Sequence, residues 1–190
     1  MGRELPSRER LLELFDYDRE KGRIYRKARD SREFRATRHQ TAEHRASNWN
    51  SNWAGKEAGG LDDGGYIRVS VAGARYRLHR IIWKLEHARD PHYSIDHIDG
   101  DKLNNHYSNL RDVSALENSK NAHLRKHNKS GVSGVRFKQN RWMAQIGTTG
   151  SKGSYLGCFK TKEEAVQARQ AAEQRLGYSA RHGKHKREEV

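Results

Sequence analysis

Short period-two stretches, each bounded by turn residues and followed by one short helix, constrain the fold of this chain more than any other pattern. Residues 66–71 (YIRVSV) alternate in character after the turn signal of residues 62–65 (DDGG), and a second short strand follows at residues 76–78. This is the pattern of a β-hairpin. Residues 79–87 (HRIIWKLEH) carry apolar residues at helical spacing and end before Pro91. The stretch therefore predicts a small sheet covered by one helix.

A similar arrangement is predicted near the C-terminal end of the sequence. Three short strands, at residues 134–137, 141–146 and 155–159, are separated by turn residues. Thr161 and Glu164 form a capping box that opens a helix with alanines on one face. Hydrophobic residues make up only 33% of the chain and charged residues another 33%, so one large core is not expected. The pattern favours an α+β protein built from small modules.

The N-terminal part of the sequence carries weaker signals. Residues 5–17 predict a short helix, and residues 22–26 predict a strand after a turn. Residues 28–60 are polar, and we interpret them as a long loop or partly ordered arm in which Trp49 and Trp53 dock. The predicted organisation has three parts: an N-terminal region (1–63), a central module (64–127) and a C-terminal module with a basic tail (128–190).

The chain carries a formal net charge of +14, much of it beyond residue 126. Lys and Arg that neutralise phosphates release condensed counterions, so the excess predicts a polyanionic partner. A membrane surface is not favoured, because the sequence has no long apolar run and no basic amphipathic helix with a wide apolar face. We expect double-stranded DNA as the partner, with RNA as an alternative, since charge alone does not distinguish nucleic acids.

Cysteine usage and the first residues bear on the compartment. Cys158 is the only cysteine, so neither an intrachain disulfide nor a cysteine-rich zinc site can form. The N-terminal residues lack the apolar segment of a secretory signal. A cytoplasmic, intracellular location is the default expectation.

Residues 94–111 and the helix predicted from Ser114 to about Lys126 gather residue types that suit phosphodiester hydrolysis. That reaction needs a base to deprotonate water and a cation to stabilise negative charge on oxygen. Neutral His is a suitable base, and carboxylate and amide oxygens suit a hard cation such as Mg²⁺. Asp96 and His97 are adjacent, so on a strand their side chains point to opposite faces.

Several spaced motifs together resemble the HNH endonucleases of phages and mobile introns, over about residues 64–125. The motifs are Leu78-His79-Arg80, Ile95-Asp96-His97-Ile98-Asp99-Gly100, Asn104-Asn105, Asn109-Leu110-Arg111 and Glu117-Asn118. The resemblance implies a ββα-metal site with His97 as the general base and Asp96 and Asn118 as ligands of one divalent ion. It also implies that Asn109 fixes the loop and orients His97. The third motif position is Asn118 rather than His, as in a subset of the family, which favours Mg²⁺ or Mn²⁺ over a zinc-like site.

Other polar residues of this region have several interpretations. His79 and Arg80 are candidates for DNA contact, although His79 also fits a packing role where the hairpin meets the helix. Asp99 and Asp101 fit a structural turn, and residues 104–105 are expected to form turn hydrogen bonds.

The three C-terminal strands and their helix resemble an AP2 DNA-binding domain, which lays a three-stranded sheet in the major groove and backs it with one helix. Alternation places Trp142, Ala144 and Ile146 on the face suited to the helix and the residues between them on the other face. Because Arg and Gln can contact bases through two hydrogen bonds, the DNA-contact candidates are Arg136, Lys138, Arg141, Gln145 and Tyr155. Several Arg positions of the plant domains are Lys, Gly or Gln here, so the recognised sequence does not transfer.

Together these patterns predict a ββα-metal HNH nuclease unit followed by a small AP2-like module. The predicted protein is a metal-dependent DNA endonuclease of the homing type, without a small-molecule cofactor, that nicks or cuts at a long recognition site. One nuclease unit per chain favours a monomer that nicks, whereas a dimer would break both strands. The alternatives are a catalytically silent AP2-type DNA-binding or regulatory protein and an RNA-binding module. Intact Asp96, His97 and Asn118 favour the nuclease, since a pure binder has no need of all three.

Overall fold

The computed structural model describes residues 3–120, 124, 127–147, 154–179 and 182–183. The chain divides into two compact units, Met1–Asp112 and Val113–Val190. Helices and short sheets occur in both units, so the chain has the mixed α+β character that its sequence predicts. None of the helices in the described ranges is long and apolar enough to cross a membrane.

The first unit opens with a helix and a hairpin. α1 (Arg8–Leu14) begins after Ser7, whose side chain accepts the Arg10 N–H. The chain continues into β1 (Phe15–Asp18), which pairs antiparallel with β2 (Arg23–Arg26). The predicted helix and strand are confirmed, but β1 takes up the last residues of the predicted helical stretch.

The polar arm predicted for residues 28–60 is in fact partly helical, and this corrects its interpretation as a loop. After a single 3₁₀ turn (Ser31–Glu33), α2 spans Ala42–Trp53. Asn50 fastens it to the preceding segment, because its side chain accepts the Arg29 N–H (2.8 Å) and donates to the Arg29 carbonyl (3.0 Å). The Arg29 guanidinium also lies 4.3 Å from the centre of the Trp49 ring, so the expected docking through a tryptophan is observed.

A three-stranded antiparallel sheet and one helix follow. The hairpin and the helix are predicted by the sequence, whereas the short first strand of the sheet is not. The sheet has the order β3 (Gly60–Leu61), β4 (Ile67–Val71) and β5 (Ala74–Arg77), and α3 covers Leu78–His87. Burial alternates strictly in the hairpin. The residues that point into the core are Val69, Val71, Ala74 and Tyr76. The helix adds Leu78, Ile81, Ile82 and Leu85 to the same core.

Two more strands, β6 (Ser94–His97) and β7 (Leu110–Val113), pair with each other. Leu110 is buried in the core of the first unit, and Ile95 packs against that core from β6. A loop that ends in a 3₁₀ turn (Tyr107–Asn109) connects the strands. Because both strands are anchored by apolar side chains, the polar residues beside them are held in fixed positions.

The second unit begins with the short helix α4 (Ala115–Lys120). Ser114 and Glu117 form the predicted capping box: the Ser114 hydroxyl accepts the Glu117 N–H (3.3 Å), and the Glu117 carboxylate accepts the Ser114 N–H (2.9 Å). The sequence predicts a longer helix, to about Lys126, but residues 121–123, 125 and 126 lie outside the described part of the chain.

The remainder of the second unit is a three-stranded antiparallel sheet with one helix. Its elements are β8 (Val135–Lys138), β9 (Arg141–Ile146), β10 (Ser154–Phe159) and α5 (Lys162–Arg175), and the sheet order is β10-β9-β8. Val135, Ala144 and Ala165 form its small core, against which Trp142 packs. The predicted strands, helix and capping box are confirmed. Most of the predicted basic tail lies outside the described residues.

Candidate active site

Asp96 lies on β6 and is held by a cation from the neighbouring strand. Nε and Nη2 of Arg111 on β7 both donate to Asp96 Oδ2, at 3.1 and 2.8 Å. The Asp96 side chain is only 12% exposed, so this carboxylate is largely withdrawn from water. The pair is charge-assisted and shielded, which fixes the orientation of the carboxylate on the strand.

His97, the next residue, is buried, with 4% of its surface exposed. Its Nε2 lies 3.3 Å from the side-chain oxygen of Asn105. The Asn105 amide nitrogen donates to the Leu103 carbonyl (3.0 Å), which leaves the amide oxygen to face the ring. Because that oxygen only accepts, the neutral ring carries its proton on Nε2 and its lone pair on Nδ1. Burial lowers the pKa of His97, so the ring is neutral near pH 7.

Asn105 contacts the candidate base His97, whereas the sequence pattern predicts only a turn residue at this position. It is 2% exposed and is the side chain that selects the tautomer of His97. The one signal in the sequence is its place in the Asn104-Asn105 motif. Nothing in the spacing shows which of the two amides turns inward.

Asn109 holds the loop between the two strands at two points. Its amide oxygen accepts the Asp99 N–H (3.0 Å), and its amide nitrogen donates to the Asp99 carboxylate (2.9 Å) and to the Asn104 carbonyl (2.8 Å). Burial alone would raise the pKa of Asp99, but the hydrogen bonds from Asn109, Asn104 and the Asp101 N–H together lower it. Asp99 is therefore a structural anion of the loop, as the sequence suggested, and Asn109 lies at the centre of the loop's hydrogen bonds.

His79 packs beneath the site. Its ring meets the His97 ring edge-on at 5.1 Å and the Tyr66 ring at 5.4 Å. Only 4% of His79 is exposed, and burial, followed by the proximity of His97, lowers its pKa to about 3. A buried neutral ring cannot attract a phosphate as a cation, so the predicted DNA contact does not fit this conformation. The alternative interpretation, in which His79 packs where the hairpin meets the helix, fits the observed conformation.

Arg80, the second DNA-contact candidate of this region, is partly exposed. Its Nη1 donates to the Arg3 carbonyl (3.0 Å), and its Nη2 lies 4.0 Å from the Asp90 carboxylate. Its guanidinium lines a surface groove of about 620 Å³ that also reaches Ser94 and Ile95 of β6. Arg80 is therefore placed to contact a ligand beside β6, the strand that carries Asp96 and His97.

The residues near His97 suit a hydrated divalent ion better than a fully protein-bound one. Among the described residues, no three His, Cys, Asp or Glu side chains come together as a metal-binding group. Magnesium usually keeps several waters and binds through one or two carboxylates. The oriented Asp96 carboxylate meets that requirement. Asn118, the other predicted ligand, lies exposed on α4 in the second unit, so its place beside Asp96 stays a prediction.

The five DNA-contact candidates of the second unit lie on one open face of its sheet. Strand register pairs Arg136 with Met143, Lys138 with Arg141, and Tyr155 with Gln145, so these residues point away from α5. The exposed members are Arg136, Lys138, Arg141, Gln145 and Tyr155. The opposite face carries the buried Ala144 and Ile146 and the partly buried Trp142, as the alternation predicts.

Comparison with known proteins identifies the region around this site. Residues 76–120 match the family model of HNH endonucleases. Protein 3.8 of Escherichia phage T7 is 38% identical over 82 residues, which cover 42% of this chain and 68% of that protein. A solved structure, "DNA binding and cleavage by the HNH homing endonuclease I-HmuI", aligns with a TM-score of 0.35 and 20% identity over 56% of this chain and half of that one, a likeness too weak to establish a shared fold. The chain therefore belongs to the family of phage T7 protein 3.8 and carries an HNH endonuclease domain.

Proposed function

We propose that this protein is a metal-dependent DNA endonuclease of the homing type, which hydrolyses phosphodiester bonds with His97 as the general base. One observation carries the proposal: within the matched HNH region, a buried, neutral His97 has its tautomer selected by Asn105 and lies next to an oriented Asp96. A base poised in its neutral form beside a carboxylate suits activation of water for attack on a phosphate.

His97 would take the proton of the attacking water at Nδ1, the position where the neutral ring carries its lone pair. The hydrogen bond from Nε2 to Asn105 and the negative charges of Asp99 and Asp96 favour the protonated ring, in opposition to burial. The ring is therefore neutral before the reaction and can still accept a proton during it. Asn109 supports this arrangement by holding the loop that carries Asn105.

Asp96 and Asn118 are the proposed ligands of one divalent ion, Mg²⁺ or Mn²⁺. Their carboxylate and amide oxygens are the donors that such hard cations prefer. When bound, the ion would stabilise negative charge on the phosphoryl and leaving oxygens. The identity of the ligands follows from the motif positions.

The sheet of the second unit is the proposed DNA-positioning surface, in the manner of an AP2 domain. Three cations and two hydrogen-bonding side chains share its open face, and no helix in the described part of the second unit covers that face. Arg136 and Lys138 alternate with the exposed Phe137 on β8, so both project to the same side. A basic, flat sheet of this kind fits the backbone and base edges of duplex DNA. The proposed division of roles is cleavage by the first unit and positioning by the second.

The test is the cleavage of phage-length DNA by wild type and by His97→Ala, with Mg²⁺ or with EDTA, followed by mapping of the ends produced. We expect wild type to cut only with the metal, and His97→Ala to lose cleavage while it binds DNA with nearly unchanged affinity. His44→Ala, at an exposed position on α2, is the matched control and should cut normally. Equal loss of binding and cleavage in His97→Ala would defeat the assigned role. Ends on only one of the two strands would support a monomer that nicks the DNA.

A further inference from the structure

The outward face of the hairpin β4–β5 is a cluster of arginines that the proposed cleavage chemistry does not use. Arg68 and Arg77 are direct cross-strand partners, and Arg75 faces Ser70 in the same register. All three arginines are exposed. Like charges directly opposite each other on a sheet destabilise it unless something compensates them. The face, which we call the arginine face (Arg68, Arg75 and Arg77), therefore has the character of an anion-binding surface.

The chain itself compensates only part of this charge. Arg68 contacts the Asp62 carboxylate at 2.6 Å. Within the described ranges, neither Arg75 nor Arg77 forms an ion pair with a carboxylate. Asp90, an acidic residue in the adjoining groove, is already paired with Lys84 at 2.7 Å. Two guanidinium groups thus stay available to an anion from outside.

The arginine face is continuous with β6, the strand that carries Asp96 and His97. Its three arginines, Arg80 and the β6 residues Ser94 and Ile95 line the same groove of about 620 Å³. The Arg77 guanidinium lies 4.0 Å from the centre of the Tyr66 ring, and that ring lies 6.1 Å from the His97 ring. Lys102 also approaches Tyr66, at 4.5 Å. A strand of DNA bound along this groove would reach the immediate neighbourhood of His97.

We propose that the arginine face binds the backbone phosphates of the DNA strand next to the bond that is cleaved. This inference rests on the proposed function, and it assigns the first unit a DNA-binding surface of its own, apart from the sheet of the second unit. Arginine suits the role because its planar guanidinium can donate two parallel hydrogen bonds to a phosphate. Contacts of this kind give affinity and register without reading sequence.

The test measures binding of a short duplex DNA by the full chain in EDTA, so that no cleavage occurs, over a series of salt concentrations. The variants are Arg75→Gln and Arg77→Gln, singly and together. Removal of one arginine–phosphate interaction should weaken binding several-fold and lower the slope of log affinity against log salt by about 1. Arg32→Gln is the control, because it removes the same charge from an exposed arginine that pairs with Asp30. Salt slopes equal to that of Arg32→Gln would overturn the proposal.

Two further measurements keep the result unambiguous. Arg75→Lys and Arg77→Lys retain the charge and should recover most of the salt slope, which a folding defect would not allow. With Mg²⁺, the glutamine variants should show a raised KM for DNA and a nearly unchanged kcat, because they lose binding shared by substrate and transition state. If wild type cut no DNA at all, the proposed function would fail. The binding experiment in EDTA would still test whether the arginine face binds DNA phosphates.

Discussion

Replacing Asn109 by alanine tests whether the loop between β6 and β7 is held by this one side chain. The change removes three hydrogen bonds, two to Asp99 and one to the Asn104 carbonyl. Intramolecular hydrogen bonds contribute about 1 kcal/mol each, and those to charged groups somewhat more. Asp99 is exposed enough for water to replace part of the loss. We expect the free energy of unfolding of the first unit to fall by about 3 kcal/mol.

The same substitution should reduce cleavage more than DNA binding. The loop held by Asn109 carries Asn105, which selects the tautomer of His97, so a looser loop leaves the base less often in its reactive form. Urea denaturation followed by tryptophan fluorescence measures stability, and cleavage at saturating DNA measures the turnover rate. Both should change in Asn109→Ala, and the DNA affinity in EDTA should not.

Asn109→Asp sharpens this test. The new carboxylate would still accept the Asp99 N–H, but its second oxygen would replace a donor 2.9 Å from the Asp99 carboxylate. Like charges at that distance repel, so Asn109→Asp should be at least as unstable as Asn109→Ala near neutral pH. Asn52→Ala, which removes only local hydrogen bonds on the exposed surface of α2, should change stability by less than about 0.5 kcal/mol. A stable Asn109→Ala, or an Asn109→Asp that behaves as wild type, would refute the reasoning.

Two more predictions concern the buried imidazole and the second unit. His79 has a pKa of about 3 in the folded chain and 6.5 ordinarily, so the unfolded chain binds its proton more readily. The free energy of unfolding should therefore fall as the pH drops below 6.5, by at most about 1.4 kcal/mol per pH unit, and urea denaturation should show a shallower fall in His79→Phe. On the open face of the second sheet, Arg141→Gln should weaken DNA binding and reduce its salt dependence. Arg175→Gln, in the last turn of α5, is the control and should leave both nearly unchanged. Equal effects of the two substitutions would contradict a specific role for the sheet.

The parts of the fold that the sequence predicted are those where local pattern and burial coincide. In β9 the alternation assigned Ala144 and Ile146 to the core face, and both are buried there. The helix α2 was missed because its Asn, Ser and Trp residues show no apolar stripe. It is held instead by contacts with Arg29 and its neighbours, which are distant in sequence.

The candidate site shows the same limit. The motif indicated the identities of Asp96, His97 and Asn109, but not their partners. Asn105 faces His97, and Arg111 holds Asp96, through contacts across a loop and between strands. The burial of His79 likewise depends on the rings of Tyr66 and His97, which converge on it from two other segments. Side-chain partners of this kind depend on three-dimensional packing, which no spacing along the chain encodes.

Arg111 provides Asp96, the candidate metal ligand, with a counterion from the protein itself. A divalent ion that approaches Asp96 does not meet a bare anion, because a guanidinium on the adjacent strand already balances the charge of the carboxylate through Oδ2. The ion and the guanidinium would repel each other across one carboxylate, so Asp96 would hold the ion less strongly while Arg111 has no other anion to bind. A DNA phosphate would supply one. The protein would then bind the metal ion more tightly when DNA is present than when DNA is absent.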